Sequence, residues 1–170
     1  MCNKQQIPEN GATKYVASGE IVTGTKNERI TSTPLGSCVA VVAYDTKKKI
    51  GGIAHVMLSG KSIKKNGSDK NKYAIDAIDN LFSELYKSGA QNTNIEICLA
   101  GGANVLKKEN DSISVSIINS VLQTIKKKKI TICASSLGGF ERRSATLLIN
   151  IGIAYYTIGG SSEKILWEFA

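Results

Sequence analysis

Two runs of apolar, β-branched residues sit close together in this chain, joined by a short polar link, and no other feature narrows the fold as much. Val39 to Tyr44 and Ile53 to Leu58 each read as a buried strand, and Asp45 to Lys49 between them is a lysine-rich connection of hairpin type. Pairing the two strands brings the start of the first near the end of the second. Cys38, at the entry to the first run, and His55, the single histidine of the chain, then become neighbours across the ladder near the open end of the hairpin. A thiol beside an imidazole has a chemical meaning: the ring takes the thiol proton, and the thiolate attacks a carbonyl carbon. Gly36 lets the backbone turn sharply just before the cysteine and can leave amide N–H groups free to hold an oxyanion. Packing accounts for the same residues equally well, because cysteine is among the most buried residue types and a lone histidine near glycines is often a satisfied polar group. Spacing alone does not choose between the two.

The remaining segments predict what surrounds this hairpin. Lys14 to Thr23 alternates enough to be a strand, Thr25 to Arg29 is a polar turn, and Ile30 to Pro34 leads into the cysteine loop. Ser59 to Asn71 is a polar insertion rich in Lys, Ser, Gly and Asn, which reads equally as a mobile loop near one end of the sheet or as a mere linker. From Lys72 the period becomes helical. Ala74, Ile75, Ala77, Ile78, Leu81, Phe82 and Leu85 mark one face, and Gly89 supplies the stop. Asn94 to Ala100 returns to strand, and Gly101-Gly102 ends it. Asp111-Ser112 caps a second helix with Ile113, Ile117, Ile118, Val121, Leu122 and Ile125 as its apolar face, closed by Lys126 to Lys129. Ile130 to Ser135, Ser144 to Ile151 and Ile153 to Ile158 are further strands, and the tail is expected to dock Trp167. Two helices against six or more strands, without strict βαβ alternation, predict an α/β (α+β) fold: a mixed β-sheet sandwich flanked by two main helices.

The 170 residues, 42% of them hydrophobic, suffice for one domain with a sizeable core, residues 14–170, behind a disordered tail over residues 1–13 that carries Cys2. The formal net charge is +8, which favours an acidic partner by steering, although a solvated lysine face accounts for the same charge. The lysines come without interleaved aromatics or a recognition module, so nucleic acid is not an expected partner. Four cysteines, at 2, 38, 98 and 133, lack the close pairing of a zinc site, and no metal is expected. Cys98 and Cys133 lie in strand-like runs and read as inert core. No run approaches the ~20 apolar residues that span a bilayer, and residues 1–11 contain no apolar signal core. The expectation is a cytoplasmic protein with reduced thiols and no membrane insertion.

One group of motifs goes further. Thr33-x-Leu35-Gly36-Ser37-Cys38-Val39-Ala40-Val41, then Tyr44-Asp45, then Gly51-Gly52-Ile53-Ala54-His55-Val56-Met57-Leu58 resembles the signature of the CheD family, the chemoreceptor glutamine deamidases. Lys72-Tyr73-Ala74, Ser88-Gly89-Ala90, Gly101-Gly102-Ala103-Asn104 and Gly138-Gly139 with Arg142-Arg143 extend the similarity over roughly residues 14 to 150. The resemblance implies a fold shared with certain bacterial deamidating toxins. It also implies a Cys-His-Thr triad of Cys38, His55 and a hydroxyl five or six residues before the cysteine. Thr33 holds the first of those positions and Ser32 the second, and the Thr-x-Leu-Gly-Ser-Cys form favours Thr33. Gly36 and Ser37 are the expected substrate-binding positions. The implied substrates are glutamine side chains, and also glutamyl methyl esters, on the glutamate- and glutamine-rich cytoplasmic helices of methyl-accepting chemoreceptors; no cofactor is implied. A CheC-like phosphatase is a possible partner, and a purely regulatory subunit for it is the alternative function.

Overall fold

The structure is a computed structural model and describes residues 11–64, 67 and 69–170. Its centre is the hairpin, β4 (Val39–Asp45) and β5 (Ile50–Val56), in which every residue is buried. Burial on both faces explains why these strands read as continuous apolar runs with no polar alternation. The central sheet runs in the order β2 (Ile21–Thr25), β5, β4, β6 (Ile95–Gly101) and β7 (Ile132–Leu137). The second sheet runs β1 (Thr13–Val16), β3 (Arg29–Ser32), β8 (Arg143–Leu148), β9 (Ile153–Ile158) and β10 (Lys164–Glu168). Parallel pairs, β1 with β3 and β6 with β7, join otherwise antiparallel ladders, so both sheets are mixed.

Alternation along β4 divides the interior into two layers. Val39, Val41 and Ala43 point to the helices α1 (Ala74–Lys87) and α2 (Ser112–Lys127), while Ala40, Val42 and Tyr44 point to the second sheet. In the helical layer Ile78, Leu81, Phe82 and Leu85 of α1 are buried, each contributing about 1.5–3 kcal/mol of transfer free energy. Gly89, at φ +98°, ends α1 as its spacing predicts, and the Asp111 side chain accepts from the Ser114 N–H at the start of α2. The hairpin turn is locked by Asp45, whose Oδ1 accepts from the N–H groups of Lys47 and Lys48 and whose Oδ2 accepts from Gln91 N–H.

Several expectations need correction. The strand foreseen over residues 14–23 is two strands in different sheets, separated by a turn at Ala17–Glu20 whose Gly19 N–H donates to His55 O at 2.9 Å. Arg29 belongs to β3, not to a turn. The second hairpin strand starts earlier and stops at Val56, because the N–H groups of Met57 and Leu58 both turn to Lys72 O. Ile113 and Leu122 of α2 face outward, at 54% and 37% exposure, whereas Ser114 and Thr124 are buried. Trp167 is 38% exposed with its indole N–H on Glu96, and it is Phe169 that docks, 5.0 Å from the Tyr44 ring. Cys98 is buried as foreseen, but Cys133 is half-buried with its thiol donating to Glu96. Thr13, the last residue of the expected tail, already pairs with Arg29; residues 1–10, including Cys2, lie outside the described residues, as do 65, 66 and 68 of the polar insertion. Among the described residues no helix is long and apolar enough to cross a membrane.

Candidate active site

Cys38 stands at the end of the loop that joins β3 to β4, and that loop is held from two sides. Leu35, fully buried, exchanges both backbone hydrogen bonds with Arg143 at 2.7 and 3.0 Å. The carbonyls of Gly36 and Cys38 accept from Ala103 and Gly102 N–H, both at 2.8 Å. Gly101 makes that second contact possible, because a Cβ there would stand 2.2 Å from Cys38 O, and its φ of +118° suits glycine. With their carbonyls so engaged, the N–H groups of Gly36 and Ser37 donate to no acceptor among the described residues, and the Cys38 N–H lies against its own sulfur. These are the amides that an oxyanion beside the thiol would meet. Gly36 and Ser37 also line a cleft of about 430 Å³ with Pro34, Asn104, Leu106 and Arg142. A larger cleft of about 850 Å³ adjoins it past Asn104, toward Gly139 and Phe140.

His55 is fully buried on β5. Directly opposite it on β4 is Ala40, with Val39 opposite Val56, so Cys38 is not its cross-strand partner as the hairpin alone suggested. Side chains alternate, however, and Cys38 shares the face of Ala40. Thiol and imidazole therefore lie on one face along a diagonal, where neighbours stand about 7–8 Å apart between backbones. Among the described residues the ring has three hydrogen-bonding neighbours, and the thiol is not one of them. Nδ1 lies 3.3 Å from Val16 O and 3.4 Å from Thr33 Oγ1, and Nε2 lies 3.5 Å from Ser18 Oγ.

These neighbours assign the tautomer. A backbone carbonyl only accepts, so the Val16 contact requires the proton on Nδ1 and makes Nε2 the accepting nitrogen. Thr33 donates to the same Val16 carbonyl at 3.3 Å and can accept from Nδ1–H, which locks the ring from a second direction. Ser18 then donates to Nε2. Burial holds the imidazole below its ordinary value, opposed by the Val16 carbonyl and the charge of Glu20. Burial likewise pushes the Cys38 thiol up, opposed by its own N–H. Both shifts favour the neutral forms.

Ser32 ends β3 and Thr33 opens the loop after it, and their hydroxyls take different partners. Thr33 meets His55, whereas Ser32, 3% exposed, accepts from Ala145 N–H of the neighbouring strand β8 at 3.0 Å. Ser18 and the Val16 carbonyl escaped the sequence reading. They reach His55 from the end of β1 and the turn after it, 39 and 37 residues earlier, inside a stretch read as one continuous strand. Among the described residues no group of three or more His, Cys, Asp or Glu side chains could hold a metal ion.

Fold and site together define a class: two-sheet α/β sandwiches that place a thiol and an oriented imidazole on one face of a central hairpin. Residues 57–156 match the family model for CheD chemotactic sensory transduction, and the chain belongs to the CheD family. A relative from Chlorobium luteolum is 38% identical over 152 residues, 89% of this chain and 76% of its own length, and one from Methanococcus maripaludis is 39% identical over 88% of this chain and 97% of its own. Both bear the name "Probable chemoreceptor glutamine deamidase CheD". A Thermotoga maritima protein, 33% identical over 91% of this chain and 98% of its own, is a chemoreceptor glutamine deamidase CheD. The matched family segment begins two residues after His55.

Proposed function

We propose that this protein deamidates glutamine side chains of methyl-accepting chemoreceptors, with Cys38 as nucleophile, His55 as general base and acid, and Thr33 orienting the ring. Family membership sets the reaction class, and one observation carries the mechanism: the Val16 carbonyl on Nδ1 leaves Nε2 as the basic nitrogen on the face shared with Cys38. Substrate carboxamide enters beside Gly36 and Ser37. The Cys38 thiol gives its proton to Nε2 as sulfur bonds to the carboxamide carbon, and the oxyanion is held by free amides of the Gly36–Cys38 loop. The exposed Ser18 hydroxyl, 3.5 Å from Nε2 at rest, yields that nitrogen at this step. The imidazolium returns the proton to the departing nitrogen, the C–N bond breaks, and ammonia leaves a thioester. Water, deprotonated by the same nitrogen, attacks the thioester. The C–S bond breaks, the thiolate regains its proton from the ring, and glutamate is released.

Starting from two neutral groups suits this cycle, because a buried thiolate–imidazolium pair would be costly to hold between turnovers. The net charge of +8 suits association with glutamate-rich helices. Cytoplasmic location, the side on which those helices lie, belongs to the same reading. The alternative, a regulatory partner of a CheC-type phosphatase, has one observation in its favour: Leu106, Ile113 and Phe140 stand exposed around the clefts beside the cysteine loop. The test is incubation with a chemoreceptor cytoplasmic fragment, followed by peptide mass spectrometry for conversion of glutamine to glutamate. Wild-type protein converts specific residues and Cys38→Ala none; equal conversion by both would overturn the mechanism. A wild-type protein that converts nothing yet stimulates a CheC-type phosphatase would favour the alternative.

A further inference from the structure

Arg143 is a charged side chain that the reaction above does not use, and it is 93% buried, with 7% of its surface exposed. Its Nε donates to Ser136 Oγ at 2.8 Å, and one terminal nitrogen donates to the carbonyls of Gly138 at 2.6 Å and Glu141 at 3.2 Å. Among the described residues no carboxylate pairs with it. A buried cation with no carboxylate within 4 Å among those residues, only the more distant charge of Glu141 beside it, is a poor source of stability, and an apolar residue of similar volume generally serves as well or better. A planar guanidinium does one thing an apolar group cannot: it holds several acceptors at fixed angles.

We infer that Arg143 is a positioning residue for the cysteine loop, a role that rests on the assignment of Cys38 as nucleophile. Two separate routes lead from this residue to residues 35–38. Along the main chain, Arg143 forms both backbone hydrogen bonds with Leu35. Through its side chain, it pins Ser136 and Gly138 at the end of β7. Leu137 between them pairs with Gly101, and the Gly138 N–H donates to Gly101 O at 3.0 Å. Gly101 packs on Cys38 O, and the next two amides hold the carbonyls of Cys38 and Gly36. The side-chain route thus keeps the carbonyls turned away and the Gly36 and Ser37 N–H groups turned outward. If the guanidinium is lost, the β7 end and the Gly101–Ala103 turn lose their brace, and the thiol and oxyanion donors lose register. Misplacement on the scale of 1 Å suffices for losses of about 100-fold.

The test compares Arg143→Lys, which keeps the charge but not the fork, and Arg143→Ala with wild type. Steady-state deamidation is measured below the unfolding transition of each variant, and backbone hydrogen exchange is followed by mass spectrometry. The expected result is a folded Arg143→Lys protein with kcat lowered at least about tenfold and KM nearly unchanged. Exchange should be faster only in peptides covering residues 33–40, 101–105 and 136–143. Free guanidinium at millimolar concentration should restore part of the activity of Arg143→Ala. If that variant does not fold, the lysine variant decides. A folded Arg143→Lys protein with wild-type kcat, or with exchange raised evenly across all peptides, would overturn the role. Should wild type itself show no deamidation, the functional reading fails instead, while the exchange comparison still decides whether Arg143 braces the loop.

Discussion

Adjacent hydroxyls with different partners, Ala145 N–H for Ser32 and His55 for Thr33, allow a crossed experiment, Ser32→Ala against Thr33→Ala. Ser32 Oγ is the partner of the buried Ala145 N–H and touches nothing at His55. Its removal orphans a buried donor, which costs about 1–3 kcal/mol, and in a domain of this size that lowers Tm by about 2–12 °C. The imidazole keeps its contacts, so kcat per folded molecule should stay within twofold or so of wild type. Thr33 Oγ1 is half-buried and shares Nδ1 with the Val16 carbonyl. Thr33→Ala removes its contacts with Nδ1 and with the Val16 carbonyl; losing the first, about 0.5–1.5 kcal/mol, should lower kcat about 2- to 13-fold while the tautomer stays fixed by Val16, and the two losses together should lower Tm by about 2–12 °C. Complete loss of tautomer control would cost far more, roughly 10⁴-fold. The assay is initial-rate deamidation of a receptor fragment at a temperature where both variants are folded, beside thermal unfolding followed by circular dichroism. Refutation would be the reverse pattern: Ser32→Ala crippling kcat with Tm unchanged, and Thr33→Ala silent. A 10⁴-fold loss in Thr33→Ala would show that the Val16 carbonyl does not hold the ring.

Burial holds His55 below its ordinary 6.5 and Cys38 above its ordinary 9.0, so kcat/KM should be flat between them and fall in acid with a midpoint below 6.5. Because the folded His55 value lies below the unfolded one, its contribution to stability is complete above about pH 6.5 and is lost as pH falls through that region, so Tm should drop more steeply there in wild type than in His55→Gln. Iodoacetamide followed by peptide mapping should modify Cys38 ahead of Cys98, which is fully buried and pushed up to about 12, and ahead of Cys133, pushed up to about 11; equal labelling of all three would contradict the burial described. Gly101→Ala should lose both activity and stability, since its Cβ would stand 2.2 Å from Cys38 O at a φ of +118°, and wild-type kcat in that variant would refute the close approach.

The family signature is local, which is why the chain alone shows so much of this protein. Leu35-Gly36-Ser37-Cys38-Val39 and Gly52-Ile53-Ala54-His55 each lie within a few residues and are joined by one short turn, so the thiol, the imidazole and their shared sheet follow from hairpin pairing. The helix limits near Gly89 and Asp111 are equally local, because caps and 3.6-residue periods act within a turn or two. Side-chain parity at the cysteine loop is different. Pro34 and Gly36 interrupt the alternation, and only pairing of β3 with β8 and of β1 with β3 decides that Thr33 faces His55 while Ser32 faces Ala145. The direct partner of His55 also depends on register, and a diagonal differs from a facing pair by two residues of strand. Ser18, the Val16 carbonyl and Arg143 reach the site from chain positions 37, 39 and 105 residues away from the groups they serve or brace, counting Arg143 to Cys38 as 143 − 38. No period or motif spans such distances. Hydrogen bonds form wherever packing of the two sheets leaves a donor facing an acceptor, so the sequence determined the reacting groups and their strands, while the tertiary fold alone decided which nitrogen is the base and what holds the thiol in place.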